Sequence, residues 1–214
     1  MSKFQSIKAW INEQKQADEP LYGCVMMEPK KIKDWEVVHL AGIDEEDVYV
    51  KPYDESYGLE EQPHVTILYG IHEDEVDPSV VVDMIEQKFL PAVVSISEIS
   101  IFEQGDYDVV KYDVPVTDQL KEYRELIEGS FANTQKFDEY HPHMTIAYVR
   151  PGKGKKYVTT LKEPFEVRFS KGVYSYHKED HEDGDDTVRR VVNLDPEPKE
   201  KTKSGIINSK PIER

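Results

Sequence analysis

The chain has 214 residues, of which 38% are hydrophobic, enough for one sizeable core or for two small lobes. Its formal net charge of −16 argues against docking along a long nucleic acid, because such binding depends on many lysine and arginine contacts to phosphates. The sequence has no apolar run of about 18 residues and no secretory signal, so we expect a cytoplasmic protein without a membrane partner.

The first part of the chain predicts a helix, a strand, a second helix and a loop. Apolar residues spaced by three and four over 2–16 predict an amphipathic helix. The stretch LYGCVMME at 21–28 predicts a buried strand, and the lone cysteine within it, Cys24, is interpreted as an inert thiol that has no partner for an internal disulfide. A short helix over 30–39 and a polar loop over 44–62 follow.

The middle of the chain predicts two helices and two strands. An Asp-Pro pair begins a helix over 77–90, because aspartate caps free amides and proline fits the first turn. Two antiparallel strands over 92–102 and 107–114 follow, joined by a Gly-Asp turn. Thr117 then caps a second helix. The inner stripe of that helix is Leu120, Tyr123, Ile127 and Phe131.

The end of the chain predicts a hairpin and a tail. Two strands, 165–177 and 187–194, form the hairpin, and the acidic loop that joins them, 178–186, is interpreted as solvated. The residues from 195 onward contain too little apolar surface to offset the entropy of ordering, which predicts a flexible tail. We therefore expect one domain over 1–194 and a tail over 195–214.

One phrase occurs twice: a histidine, any residue, a threonine, and an apolar run that ends in tyrosine. The copies are QPHVTILYG at 62–70 and YHPHMTIAYV at 140–149. Side chains alternate along a strand, so the histidine and the threonine of each copy share one face. Two α+β lobes that face each other across a pseudo-twofold axis would bring four side chains into one cleft. These are His64, Thr66, His143 and Thr145.

The sequence also suggests roles for the other residues of the two copies. The same alternation puts Tyr69 and Tyr148 on the opposite face, as packing residues. His141 shares a face with His143, but a metal site needs a third ligand and none is suitably spaced, so we expect no metal. His141 is interpreted instead as lining the mouth of the cleft.

The histidine pair predicts acid and base chemistry. Imidazole has an ordinary pKa of about 6.5, which lets one ring be neutral while another is protonated near pH 7. One histidine would take a proton from an attacking hydroxyl and the other would give one to the departing oxygen, while threonine hydroxyls would bind phosphoryl oxygens. The pair predicts metal-free phosphodiester cleavage, and the spacing does not reveal which histidine is the base.

A cationic loop follows the second copy directly. Its sequence is RPGKGKK at 150–156, in a protein that is otherwise strongly anionic. Such a local concentration of positive charge attracts anions regardless of the overall charge. A small anionic ligand therefore remains compatible with the sequence.

Paired His-x-Thr motifs are typical of the 2H phosphoesterase superfamily, and the chain resembles that superfamily over nearly all of its first 194 residues. It is most similar to the phage anti-CBASS phosphodiesterases, which destroy the cyclic oligonucleotides that alert an infected bacterium. The resemblance implies a bilobal α+β fold with antiparallel sheets flanking a cleft, no cofactor, and cleavage of 3′,5′ bonds in cyclic di- and trinucleotides. It places catalysis on the four motif residues and a base-stacking ring at Tyr22.

The chain departs from that pattern in one respect. Related enzymes use a tryptophan between the motifs as a second stacking ring, whereas Trp10 and Trp35 both precede the first motif. Phe102 or Tyr107 would have to serve as the second ring, and no acidic binding residue can be matched.

Two alternative functions stay open from the sequence. The same chemistry would act on RNA ends with a 2′,3′-cyclic phosphate or on 2′,5′-linked oligonucleotides. A sponge that holds a nucleotide signal without cleaving it is the other alternative. The oligomeric state is not indicated.

Overall fold

The computed structural model describes residues 21–29, 41–52, 57–135, 139–177 and 187–195. Within these ranges the chain forms seven strands, two α-helices and three short 3-10 helices. The strands are β1 (Tyr22–Pro29), β2 (Val65–His72), β3 (Ala92–Glu103), β4 (Asp108–Asp113), β5 (His143–Val149), β6 (Thr159–His177) and β7 (Thr187–Asn193). The helices are α1 (Pro78–Lys88) and α2 (Asp118–Ser130), with 3-10 turns at Glu45–Asp47, Glu73–Glu75 and Gly154–Tyr157.

Several predictions fall on residues outside those ranges. They are the helices over 2–16 and 30–39, the acidic loop over 178–186 and the tail after Asp195.

The strands form one antiparallel sheet with the order β2-β1-β6-β3-β4-β5, and β7 also pairs with β6. The 19 residues of β6 are shared by two halves of this sheet. Residues 169–175 pair with β1, and residues 159–169 pair with β3. The two lobes expected from the sequence are therefore halves of one connected sheet, and the fold is α+β as predicted.

Strand β6 begins at Thr159, whereas the sequence predicts a strand that begins at Phe165. Its pairing with β3 is interrupted, because Ile96 pairs with Phe165 while Glu98 already pairs with Thr160. Pro164 lies in this interruption, where its missing N–H leaves no gap in the ladder. The polar residues before Phe165 conceal this first part of the strand from sequence analysis.

The two predicted helices that fall within the described residues begin at their predicted caps. Asp77 Oδ1 accepts a hydrogen bond from the backbone N–H of Ser79 at 2.8 Å, and Thr117 Oγ1 accepts one from that of Leu120 at 3.2 Å. Helix α1 packs on β6 and β7, and α2 packs on β2. No helix among the described residues is long and apolar enough to cross a membrane.

One hydrophobic core joins the two halves. Phe89, just after α1, stacks on Tyr123 of α2 with ring centroids 4.1 Å apart. Burying one large aliphatic or aromatic side chain stabilises a fold by roughly 1.5–3 kcal/mol. The largest fully buried side chains come from both halves: Tyr112, Tyr174, Phe169, Met27, Ile67, Leu68, Ile71, Ile85, Ile96, Leu120, Ile127 and Met144.

The described parts of the segment predicted as a polar loop, 44–52 and 57–62, cover the outer edge of β5. Val48 forms a β-bridge with Val149, and Leu59 forms one with Ala147. The backbone N–H of Tyr148 also donates to the carbonyl of Gly58 at 2.8 Å. These bonds satisfy backbone groups that an open edge strand would expose.

Candidate functional site

The fold brings the two His-x-Thr motifs together. They lie on β2 and β5, which stand at opposite ends of the strand order and yet contact each other. Tyr140, just before β5, donates its hydroxyl to the carbonyl of Thr66 at 3.0 Å. We call the side of β2 and β5 that carries the four motif residues the motif face.

Both motif histidines are held in the same way. The Nδ1 of His64 lies 2.8 Å from the carbonyl oxygen of Gln62, and the Nδ1 of His143 lies 3.0 Å from that of His141. A carbonyl only accepts hydrogen bonds, so each Nδ1 carries a proton and donates it. The Nε2 of each ring is therefore the nitrogen available for exchanging a proton with a ligand.

The groups around His143 shift its pKa. Burial lowers the pKa of His143, the backbone carbonyl of His141 opposes this, and positive charge on Lys111 and His64 lowers the pKa further, while Asp113 raises it. The contact between β2 and β5 and the hydrogen bond from Tyr140 to Thr66 hold the two motifs side by side.

A β-bulge follows the threonine in the second motif. Thr145 pairs with Lys111 and Ala147 pairs with Val110, so two consecutive residues of β4 face a stretch of three on β5. Ile146 is the extra residue, and its side chain is fully buried. A bulge of this kind reverses the alternation of side chains beyond it.

The first motif contains the same irregularity at the same position. Thr66 pairs with Met26 and Leu68 pairs with Val25, which leaves Ile67 as the extra residue of β2. Ile67 is fully buried, like the extra residue of β5. The two motifs thus share a bulge as well as a sequence.

The paired bulges overturn the prediction for the motif tyrosines. Tyr69 and Tyr148 lie on the motif face together with Thr66 and Thr145, because each strand gains one residue between its threonine and its tyrosine. Strict alternation would have placed both tyrosines on the opposite face. The motif face therefore carries one tyrosine from each half of the sheet.

The first of these tyrosines is accessible. The ring of Tyr69 is 61% exposed, and its centroid lies 6.2 Å from that of Tyr22. Tyr22, the ring that the resemblance assigns to base stacking, also lies 5.7 Å from the ring of His72. An exposed ring beside a half-buried one is suited to stacking on a planar ligand.

The second tyrosine belongs to a cluster of four. Tyr49, Tyr57, Tyr107 and Tyr148 contact one another with centroid distances between 5.2 and 5.5 Å, mostly edge to face. Tyr107, predicted as a candidate stacking ring, is one member. The structure thus places Tyr107 in a packed aromatic cluster beside β5.

The other two predicted binding residues lie near His143. The ring of Phe102 is perpendicular to the imidazole of His143, with centroids 5.0 Å apart. The His141 side chain is 72% exposed and lies 3.2 Å from Glu139. The backbone of His141, rather than its imidazole, makes the contact with His143.

The cationic loop over 150–156 is less positive than its sequence suggests. Lys155 pairs with Glu103 at 2.7 Å, and Lys156 pairs with Asp47 at 2.5 Å. Lys153 lies 3.6 Å from the same Asp47 carboxylate. Because acidic partners compensate these lysines, the loop offers a weaker anion site than the sequence indicates.

The described residues provide neither a reactive thiol nor a metal cluster. Burial raises the pKa of Cys24 to about 12, although a hydrogen bond with Thr66 lowers it, so the thiol stays protonated at neutral pH. No group of three or more histidine, cysteine or acidic side chains within the described ranges is arranged to hold a metal ion.

Comparisons with known proteins point to one family. The profile of the 2′-5′ RNA ligase superfamily matches residues 44–172. Three solved structures of E. coli LigT are similar to this chain and each covers 82% of it: the complex with 3′-AMP (9% identity, 97% of LigT, TM-score 0.50), the complex with NADP+ (11%, 96%, 0.53) and the apo form (10%, 96%, 0.52). No curated protein sequence matches. At these identities the structures demonstrate a shared fold.

Proposed function

Because the chain belongs to the 2′-5′ RNA ligase superfamily, the 2H phosphoesterases, we propose that it cleaves the 3′,5′ bonds of cyclic di- and trinucleotides without a metal ion. The pair of histidines on the motif face is the observation that supports this most directly. Each ring is anchored through Nδ1, so both Nε2 atoms are available to one ligand. The biological setting implied by the sequence resemblance is the cytoplasm of an infected bacterium, where cleavage removes an immune signal.

The proposed reaction is an internal transfer within the substrate. One Nε2 takes the proton of a ribose 2′-OH, and the oxygen attacks the adjacent phosphorus. The new P–O2′ bond replaces the P–O5′ bond, whose electron pair leaves with O5′ and accepts a proton from the other imidazolium. The ring opens to a linear product with a 2′,3′-cyclic phosphate and a 5′-OH, while Thr66 and Thr145 hydrogen-bond the phosphoryl oxygens.

The surroundings of the histidines favour a short substrate that carries more than one base. The net charge of −16 disfavours a long polyanion. Each half of the sheet adds a tyrosine to the motif face, Tyr69 from the first and Tyr148 from the second. A compact cyclic nucleotide has several base planes close to one scissile phosphate, and aromatic rings stack on them with little dependence on base identity.

Replacing Tyr69 is expected to weaken substrate binding. Tyr69→Ala removes the exposed ring, and one base stack contributes roughly 1–3 kcal/mol, which corresponds to a roughly 5- to 150-fold increase in KM. Tyr69→Phe keeps the ring and serves as the matched control, with KM close to that of the wild type. Steady-state kinetics on a cyclic dinucleotide measure both. An unchanged KM in the alanine variant would remove Tyr69 from the binding site.

The substrate class is tested with a panel of nucleotides in the presence of EDTA. The panel contains 3′,3′-cyclic di- and trinucleotides, 2′,3′-cyclic mononucleotides, RNA ends with 2′,3′-cyclic phosphate and 2′,5′-linked adenylates, with products resolved by chromatography. We expect linear products from the cyclic oligonucleotides. Cleavage confined to RNA ends or 2′,5′ linkages would instead assign RNA processing, and tight binding with recovery of intact ligand would assign a sponge. Loss of activity in EDTA, restored by a divalent ion, would contradict metal independence.

A further inference from the structure

A buried lysine lies on the motif face beside the second motif. Lys111 of β4 is only 6% exposed and pairs in register with Thr145. Its Nζ donates to Ser100 Oγ at 2.6 Å and forms an ion pair with the Asp113 carboxylate. A buried ammonium group is costly unless it is paired, so this position has a specific reason to carry a cation.

The lysine is connected to His143 by two routes. Its Nζ lies 4.4 Å from the centroid of the Phe102 ring, and that ring packs perpendicular to the imidazole of His143. Asp113, which pairs with the lysine, also lies opposite His143 in the ladder between β4 and β5. Ser100 completes the group by donating to Asp113 at 2.7 Å.

The ammonium group of Lys111 is surrounded by partners within the protein. Lysine has three N–H bonds, and the hydroxyl of Ser100, the carboxylate of Asp113 and the face of the Phe102 ring surround them. These N–H groups are therefore not available to bind a phosphate directly.

Among the described residues, the first half of the sheet has no lysine at the equivalent pairing position. The residue that pairs with the motif threonine is Lys111 in the second half, whereas in the first half it is Met26. The two motifs have the same sequence pattern, the same bulge and the same hydrogen bond at the histidine Nδ1. They differ in the buried positive charge of Lys111, which lies beside the second motif only. This asymmetry distinguishes His143 from His64.

We propose that Lys111 is a positioning residue that acts through Phe102 and Asp113 to make His143 the general base, which leaves His64 as the general acid. This assignment rests on the proposed phosphodiesterase function. A neutral Nε2 on His143 accepts the 2′-OH proton, and a protonated His64 delivers a proton to O5′.

The charged groups that face His143 support the assignment. Burial is the largest cause that lowers the pKa of His143, and Lys111 and His64 act in the same direction. The carbonyl of His141 and the Asp113 carboxylate oppose them. The Glu139 carboxylate is occupied by the exposed His141 side chain. A base must be deprotonated to work, so each influence that lowers the pKa of His143 extends activity toward lower pH.

The test is an NMR titration of the histidine rings in the full chain, with signals assigned from His64→Gln and His143→Gln. In Lys111→Met, His143 is expected to titrate at higher pH than in the wild type, with a smaller change at His64. The double variant Lys111→Met with Asp113→Asn removes two opposing charges, so His143 is expected to return toward its wild-type titration. This variant also avoids leaving an unpaired carboxylate, should the single variant fold poorly.

Kinetics on the cleaved substrate provide the second readout. Lys111→Met is expected to lose kcat/KM several-fold near pH 6 and to keep its value on the alkaline limb, which the general acid sets, since only the protonation of the base has changed. If Lys111 had only a structural role, its replacement would lower kcat/KM on the acid limb and on the alkaline limb of the pH profile alike. An unchanged His143 titration in Lys111→Met, or a wild-type His143 that is protonated at pH 7, overturns the inference. Because the titration needs no substrate, it decides the point even if no nucleotide is cleaved.

Discussion

His64→Ala and His143→Ala are each expected to lower kcat for nucleotide cleavage by on the order of 10²- to 10⁴-fold. Each substitution removes one Nε2 that exchanges a proton in the reaction, and a water molecule replaces it poorly because it is not held in place. Binding is expected to change less, since the motif threonines and the tyrosines on the motif face remain. Single-turnover measurements separate the chemical step from binding and from product release.

Two comparisons make that result specific. His177→Gln alters a histidine at the end of β6 that lies outside both motifs in the sequence and pairs with Glu73 at 3.0 Å, and it is expected to retain activity within about twofold of the wild type. The double variant lacking both motif histidines is expected to lose much less than the product of the two single effects, because the pair acts as a unit. If either single variant kept full activity, acid and base catalysis by the pair would be wrong.

The sequence allows the helices and the motif pairing to be predicted because their signals are local. The helix over 77–90 and the helix after Thr117 were predicted from a capping residue followed by an apolar stripe, and both are confirmed. The repeated His-x-Thr phrase predicted that β2 and β5 would meet, and they do. A cap needs only neighbouring residues, and a repeat needs only the sequence itself.

The bulges could not be predicted from a strict two-residue alternation. The extra residues, Ile67 and Ile146, are apolar and buried, as are Leu68 and Ala147 that follow them. In a strand with one buried face and one solvent-exposed face, two consecutive buried residues are the local sign of a bulge. In an apolar run, however, that sign is hidden, because every residue looks suited to the core.

Lys111 was missed for a different reason. In the stretch VVKYDV a lysine looks like the solvent-facing residue of an alternating strand. Its burial depends on Ser100 of β3 and on Phe102, and this pairing of β3 with β4 is set by the tertiary fold. A contact that buries a charged residue between two strands does not change the hydrophobic periodicity of either strand.

Gly23→Ala is expected to destabilise the protein by about 1–3 kcal/mol, the usual range for an overfilled core. A Cβ atom at this position would lie 2.4 Å from the hydroxyl oxygen of Tyr174 and 2.7 Å from a ring carbon of the same side chain. Tyr174 is fully buried and packs on Tyr176 with ring centroids 5.1 Å apart, so it cannot move away freely. Denaturant unfolding monitored by tyrosine fluorescence and by circular dichroism measures the free energy of unfolding.

Tyr174→Phe separates the clash from any other effect of the alanine. The Tyr174 hydroxyl is buried and has no hydrogen-bond partner among the described residues, so removing it is expected to raise the free energy of unfolding by about 1 kcal/mol. In that background Gly23→Ala should cost less than in the wild type, because the closest contact is gone. The remaining ring contact at 2.7 Å should keep part of the cost. Equal costs in the two backgrounds would mean that the alanine acts elsewhere, since double variants of contacting residues are additive only when the contact is irrelevant.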